Sequence, residues 1–258
     1  MSYIKKEIRD DVCVFSFNKP EVHNAFDDAA SADMIEALLW AQKSKNFKVL
    51  VLRGEGRSFC SGRDARAMGV RPPGVSHYDF MKAGQAQINT LLNMGKPIVA
   101  AVKGAAYGGG AEWAMIADFR VSSTELKFSL PEVKYGLAVD HGGSALACSL
   151  IGPARTKYLL MTGDVIDART AYEWGLVDIL VPPEELDTRA FDIAAKIAKN
   201  PYSAVIAAKE LVDQLCADDY RSAIRRELIN QLALFSSDDF VALREKRTQG
   251  NAAKAKAS

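Results

Sequence analysis

At 258 residues, with 48% hydrophobic and 25% charged side chains, the chain has the make-up of a globular protein large enough to bury a full core. A formal net charge of +1 gives no field that would draw nucleic acid or an anionic membrane. The start, Met1 to Glu7, has no apolar leader core and no apolar run is long enough to span a bilayer, so the expectation is a cytoplasmic protein with no membrane or nucleic-acid partner.

In chain order, Val12–Phe17 alternates like a strand, and residues 27–42 carry Met34, Leu38 and Leu39 at helical spacing behind an Asp27-Asp28 start signal. Val49–Leu52 reads as a buried strand ending at Gly54-Glu55-Gly56. An Arg/Gly/Pro-rich stretch from Arg57 to Gly74 reads as a functional loop, and Phe80–Asn93 as a helix. Beyond the central segment, Asp167 caps a helix that stops at Gly175, and residues 177–181 form a short strand. Asn200-Pro201 opens a helix to about Leu215, followed by helices near 220–234 and 238–247. The expected organisation is an α/β core over residues 1–190 and a helical region over 191–258, with a frayed tail at 250–258.

The segment Lys96 to Asp118 organises the rest. It opens as an apolar, β-branched strand, passes through Gly104, Gly108, Gly109 and Gly110, and continues as an apolar helix. Such a turn leaves backbone N–H groups free at a helix N-terminus, where a phosphate or an oxyanion can bind. Glu112, one turn inside, would repel a phosphate but can serve as an acid or base beside a carbonyl, so the segment reads as a catalytic oxyanion site. Glu132, after Pro131, is a second candidate acid, although a Pro-Glu pair is also an ordinary helix start; Asp140 fits a turn or cap equally well.

Other chemistries lack their signatures. No GxGxxG or GxxxxGK[ST] run occurs, and His141-Gly142-Gly143-Ser144 is not a nucleophile elbow. Cys13, Cys60, Cys148 and Cys216 lie far apart, as do His23, His77 and His141, so neither disulfides nor a metal are expected.

Taken together, Asn18-Lys19-Pro20 to Asn24-Ala25, Ser58-Phe59-Cys60-Ser61-Gly62-Arg63-Asp64, Lys96-Pro97 to Asp118, Pro131-Glu132 to Gly142-Gly143, Met161-Thr162-Gly163, Gly175-Leu176-Val177 and Glu245-Lys246-Arg247 resemble the crotonase superfamily of enoyl-CoA hydratases and isomerases. They run in family order over about residues 10 to 247. The resemblance implies an α/β spiral of repeated ββα units, C-terminal helices that form trimers or dimers of trimers and cover the CoA, and no cofactor beyond the CoA carried by the substrate. It places the oxyanion hole at the N–H groups of Arg63 and Gly109 and the acid/base pair at Glu112 and Glu132. It assigns contacts with the acyl-CoA to Val22, Ala25, Ser61, Asp64, Gly108, Asp140 and Lys246; Arg66 and Arg71 are candidate phosphate partners, with solvated surface arginines the equal alternative.

The intact glutamate pair favours hydration of a 2-enoyl thioester. Two features depart from the hydratases. Val139-Asp140-His141 replaces a Pro-Gly-Ala run, and Arg63 stands where alanine is common. An aspartate at 140 is similar to dienoyl-CoA isomerases and to some acyl-CoA dehydratases, which makes those the alternative. A non-catalytic CoA- or RNA-binding relative is the rival from another class; near-neutral charge counts against RNA, and both glutamates count against a dead enzyme.

Overall fold

The computed structural model describes residues 2–68 and 70–256. A hairpin of β1 (Ile4–Arg9) and β2 (Val12–Phe17) leads into α1 (Asp28–Lys43) and β3 (Val49–Gly54). Two short helices, α2 (His77–Gly84) and α3 (Ala86–Leu92), follow, then β4 (Ile98–Val102), β5 (Ala105–Tyr107) and α4 (Gly109–Met115). Next come β6 (Phe119–Ser123), β7 (Lys127–Ser129), α5 (Gly143–Thr162), β8 (Ile166–Asp167), α6 (Ala168–Trp174) and β9 (Ile179–Val181). The chain ends in α7 (Leu186–Ala198), α8 (Tyr202–Leu234) and α9 (Asp238–Lys256).

Six strands form one sheet in the order β1-β2-β3-β4-β6-β9, antiparallel only at the β1–β2 hairpin, and β5-β7-β8 form a second, smaller sheet. Both faces of the large sheet are covered, which is why its strands read as unbroken apolar runs. One face sends Phe15, Phe17, Leu50, Leu52, Ile98 and Ala100 into the main core, together with Met34, Ala37 and Leu38 of α1. The opposite face (Val12, Val14, Val49, Val51, Val99) packs on α7 through Leu186, Ala190, Ala194 and Ala198. These fall every fourth residue, one stripe of a helix, and the alanines let α7 lie close against the strands.

Several boundaries differ from expectation. The expected helix 80–93 is two helices that meet at Gln85, whose side chain is spent on tertiary contacts. The expected helices to 215 and from 220 are one helix, α8, because no glycine or proline stands between Leu215 and Tyr220. Its N-cap is Pro201 rather than Asn200. The tail expected to fray continues α9 through Lys256, consistent with the high helix propensity of alanine and lysine; residues 257 and 258 lie outside the described residues. Among the described residues, no helix is long and apolar enough to cross a membrane.

Candidate active site

The candidate residues meet because three chain segments leave parallel pairings at the same end. Tyr107 pairs with Ser129 in the β5–β7 ladder, so Gly108 and the Pro131-Glu132 turn emerge side by side. A parallel bridge between Cys60 and Ala106 brings the Ser61–Arg63 loop beside them. Loops at the carboxyl ends of parallel strands are where α/β proteins commonly bind ligands.

Gly62, at φ +87°, allows the close approach: a Cβ there would lie 2.5 Å from the Tyr107 carbonyl oxygen and 3.5 Å from the Gly109 nitrogen. Gly108 begins α4 at φ +51°, and a Cβ on it would lie 2.8 Å from Glu132 Oε1. Among the described residues, neither Arg63 N–H nor Gly109 N–H donates a backbone hydrogen bond, whereas their neighbours do: Gly108 donates to Ser129 O (3.1 Å) and Asp64 to Phe26 O (2.8 Å). Phe26 stacks on the wholly buried Trp113 at 4.6 Å and holds the turn from below.

Glu112 is fully buried. Its Oε1 accepts from His141 N (3.0 Å) and Gly143 N (2.9 Å), donors that suit a carboxylate. Its Oε2 makes no hydrogen bond, and His141 Nδ1 stands 3.4 Å away. The same stretch of backbone serves a second acid, Glu227 of α8, which accepts from Gly142 N (2.6 Å), Ser144 N (3.0 Å) and Ser144 Oγ (2.5 Å). Burial, then the charge of Glu112, push the Glu227 carboxyl up to about 7, against the pull of those hydrogen bonds. Gln231 Oε1 accepts from Ala138 N (3.0 Å), and Gln85 Nε2 bridges the carbonyls of Asp140 (2.8 Å) and Ile224 (3.0 Å). Residues 224, 227 and 231 share one face of α8, so that face clasps the whole 138–144 loop.

Glu132 opens a 3-10 turn at Glu132–Tyr135 and has a buried, unpartnered Oε2. Burial first, then the charge of Glu112, raise its pKa well above the carboxylate range; Asp140 adds to this and His141 opposes it. Glu132 is thereby favoured as a neutral acid. It lines a cavity of about 460 Å³ with Arg63, Gly108, Gly109, Asp140 and His141. Glu112 lies behind this wall, not on it. Gln87, buried in α3, also borders the cavity, and among the described residues neither of its amide atoms has a hydrogen-bond partner.

The other expected contact residues divide into two groups. Val22, Ala25 and Ser61 come together: Ser61 Oγ donates to Val22 O (3.4 Å), Ala25 N donates to Val22 O (3.1 Å), and Ser61 borders the cavity. The Arg63 side chain turns aside to pair with Asp28 (2.6 Å) and cover Phe80. Asp64 is spent on Arg66 (2.6 Å), and Arg71 donates to Val75 O. Lys246 is exposed on α9 and does not border the cavity of its own chain. Glu227, Gln85 and Gln87 escaped sequence reasoning, and His141 stood out there only as part of a departure from the hydratases, with no role assigned. Only His141, ahead of a Gly-Gly helix start, offered a signal.

Glu112, Asp140 and His141 bring their donor atoms within 4.8 Å of one another. Nδ1 of His141 already bonds Asp140 Oδ1 at 2.7 Å, so this is the geometry of an ion-pair cluster.

The sequence pattern of the enoyl-CoA hydratase/isomerase family matches residues 7–250. The chain belongs to that family. Its relatives include a carnitinyl-CoA dehydratase from Salmonella arizonae, 34% identical over 87% of this chain and 88% of that protein. A crotonyl-CoA hydratase from Syntrophomonas wolfei is 32% identical over 86% and 85%. Among solved structures, an enoyl-CoA hydratase from Mycobacterium avium subsp. paratuberculosis superposes with a TM-score of 0.86 at 25% identity, covering 95% of this chain and 98% of that one. An enoyl-CoA hydratase/isomerase from Pseudoalteromonas atlantica gives 0.87 at 21% identity, covering 96% and 97%, which bears on fold alone. The expected crotonase fold is the one observed, and the hydratase/isomerase family supplies the reaction class.

Proposed function

We propose that this enzyme adds water across the double bond of a 2-enoyl-CoA thioester, and removes it in the reverse direction. One observation carries the reading: a carboxylate held by two N–H donors and a carboxyl favoured as the neutral acid flank a glycine turn with free N–H groups. The thioester oxygen accepts from the Arg63 and Gly109 N–H groups, which stabilise the enolate by a few kcal/mol per donor. Water attacks C3 as Glu112 takes its proton, and Glu132 gives its own proton to C2. The enzyme is left with its proton on Glu112, and exchange with solvent resets it. Ala25, Ser61 and Lys246 are assigned to the CoA moiety, Lys246 from this or a neighbouring subunit of a trimer.

The test is the loss of enoyl-thioester absorbance when the protein meets crotonyl-CoA. Glu112→Gln and Glu132→Gln are each expected to slow that loss by about 10³-fold without unfolding the chain. Near-normal turnover in either variant overturns the assignment.

A second reading has its own support: Asp140 borders the cavity whereas Glu112 does not. In that reading Asp140 moves the proton in an isomerisation or in the dehydration of a hydroxyacyl-CoA. Product mass separates isomerisation, which leaves the thioester unchanged in mass, from gain or loss of water; within the latter, turnover of a 3-hydroxyacyl-CoA that survives in Glu112→Gln and is lost in Asp140→Asn would favour the second reading.

A further inference from the structure

We infer that His141 is a positioning residue, held as an imidazolium between Asp140 and Glu112, and that it keeps both carboxylates in place. The inference stands on donor and acceptor accounting. Nε2 lies 3.1 Å from the carbonyl oxygen of Gly84. A carbonyl only accepts, so Nε2 carries a proton. Nδ1 lies 2.7 Å from Asp140 Oδ1 and 3.4 Å from Glu112 Oε2. Between two carboxylate oxygens it too must donate, unless one of the acids surrenders its charge.

Every element packed around the ring has a part. The ring's own loop gives Asp140, α4 gives Glu112, the 3-10 turn gives Glu132, and α2 gives the Gly84 carbonyl. Glu227 of α8 acts at one remove, through Gly142 and through Glu112. Burial alone disfavours the imidazolium, but the charges of Asp140 and Glu112 and the hydrogen bond to Asp140 overcome it, so the pKa of His141 is raised well above its ordinary value. Both ring nitrogens are engaged, which leaves neither to touch substrate. His141 therefore acts through its neighbours, by withholding its proton from Glu112 and presenting Asp140 at the cavity wall.

The catalytic consequence rests on the hydratase reading; the charge on the ring does not. The chain has three histidines, so ring ¹⁵N spectra can be resolved residue by residue. At a pH above the ordinary histidine pKa, one ring is expected to remain doubly protonated, its signals vanishing in His141→Asn. Asp140→Asn, which removes one of the two charges, is expected to lower that ring's midpoint by about one unit or more. The alkaline limb of the kcat profile should move down with it, a response that a purely structural histidine would not give. A wild-type His141 ring with one bare nitrogen at that pH overturns the inference, as does a midpoint or a limb that stays put in Asp140→Asn. Absence of hydration in the wild type sinks the functional reading alone, because the spectra still report the charge.

A separate observation carries a second proposal. The geometry points to Gln87 as a determinant of substrate class, selecting acyl chains with a hydroxyl or amide that can both donate and accept. Its side chain is buried at 1% exposure, borders the cavity, and leaves both amide atoms unpartnered. Such a group costs free energy until a ligand completes it, and a site built this way rejects analogues that lack the partner. The test compares Kd for 6-hydroxyhexanoyl-CoA and hexanoyl-CoA, saturated thioesters with no double bond to hydrate and no five- or six-membered lactone to close, by calorimetry. At least about 10-fold tighter binding of the hydroxylated ligand is expected, falling to about equal binding in Gln87→Leu. Equal binding in the wild type, or a preference that survives in the variant, overturns it.

Discussion

The body of the large sheet and the loops at its strand ends are buried to a similar degree but held by opposite means. In the body, Leu52, Val51, Val99 and Ala100 need only neighbours of the right shape. Around the strand ends, Glu112, His141 and Glu227 are buried as well, yet each depends on particular backbone partners: N–H donors for the two glutamates and the Gly84 carbonyl for His141. The first kind of burial stabilises and tolerates exchange. The second kind is costly unless complete, and it fixes where charge can sit.

Substitutions can break this contrast from either side. Leu52→Ala is expected to cost about 2–5 kcal/mol by urea unfolding while leaving kcat of the folded fraction unchanged. Loss of kcat without loss of stability would contradict the contrast. Gly143→Ala should do the reverse. The added Cβ would fall 2.5 Å from Glu112 Oε1 and displace the carboxylate, lowering kcat about 10²-fold, or ~2.7 kcal/mol of barrier.

Glu227→Gln sharpens the comparison through pH. The folded-state pKa of about 7 stands above the ordinary 4.5, so the buried acid is proton-bound in the folded chain when the unfolded chain has released it. Its contribution is full below about pH 4.5 and lost as pH rises through about 7. The permanently neutral glutamine should remove that decline, seen as a smaller difference between urea midpoints at about pH 5 and about pH 8. An unchanged difference would show that Glu227 holds its charge across the range. Arg9→Ala breaks a pair whose side chains are more than half exposed, and should leave the urea midpoint where it is.

What could be read from the sequence follows the same division. Strand β2 announced itself through alternation, β3 and β4 through apolar runs, and α1 and α6 through Asp27 and Asp167, which cap them as expected. Glu112 and Glu132 stood out through local context: a glycine turn, a proline and the family motifs around them. β1 was hidden because only Ile4 of its six residues is buried, so it lacks alternation. Glu227 was hidden for another reason. It sits in a helix interior 85 residues from Gly142, and no short window joins the two. Gln85 and Gln87 likewise look like ordinary helix residues until the fold encloses them.

The four N–H groups at 141–144 alternate between two owners: the odd ones serve Glu112 and the even ones Glu227. One turn of backbone is thus shared like a yoke between the reacting centre and the long C-terminal helix. Any neighbouring molecule that pushes on α8 would be felt at Glu112 through rigid peptide planes, with no side chain needing to move.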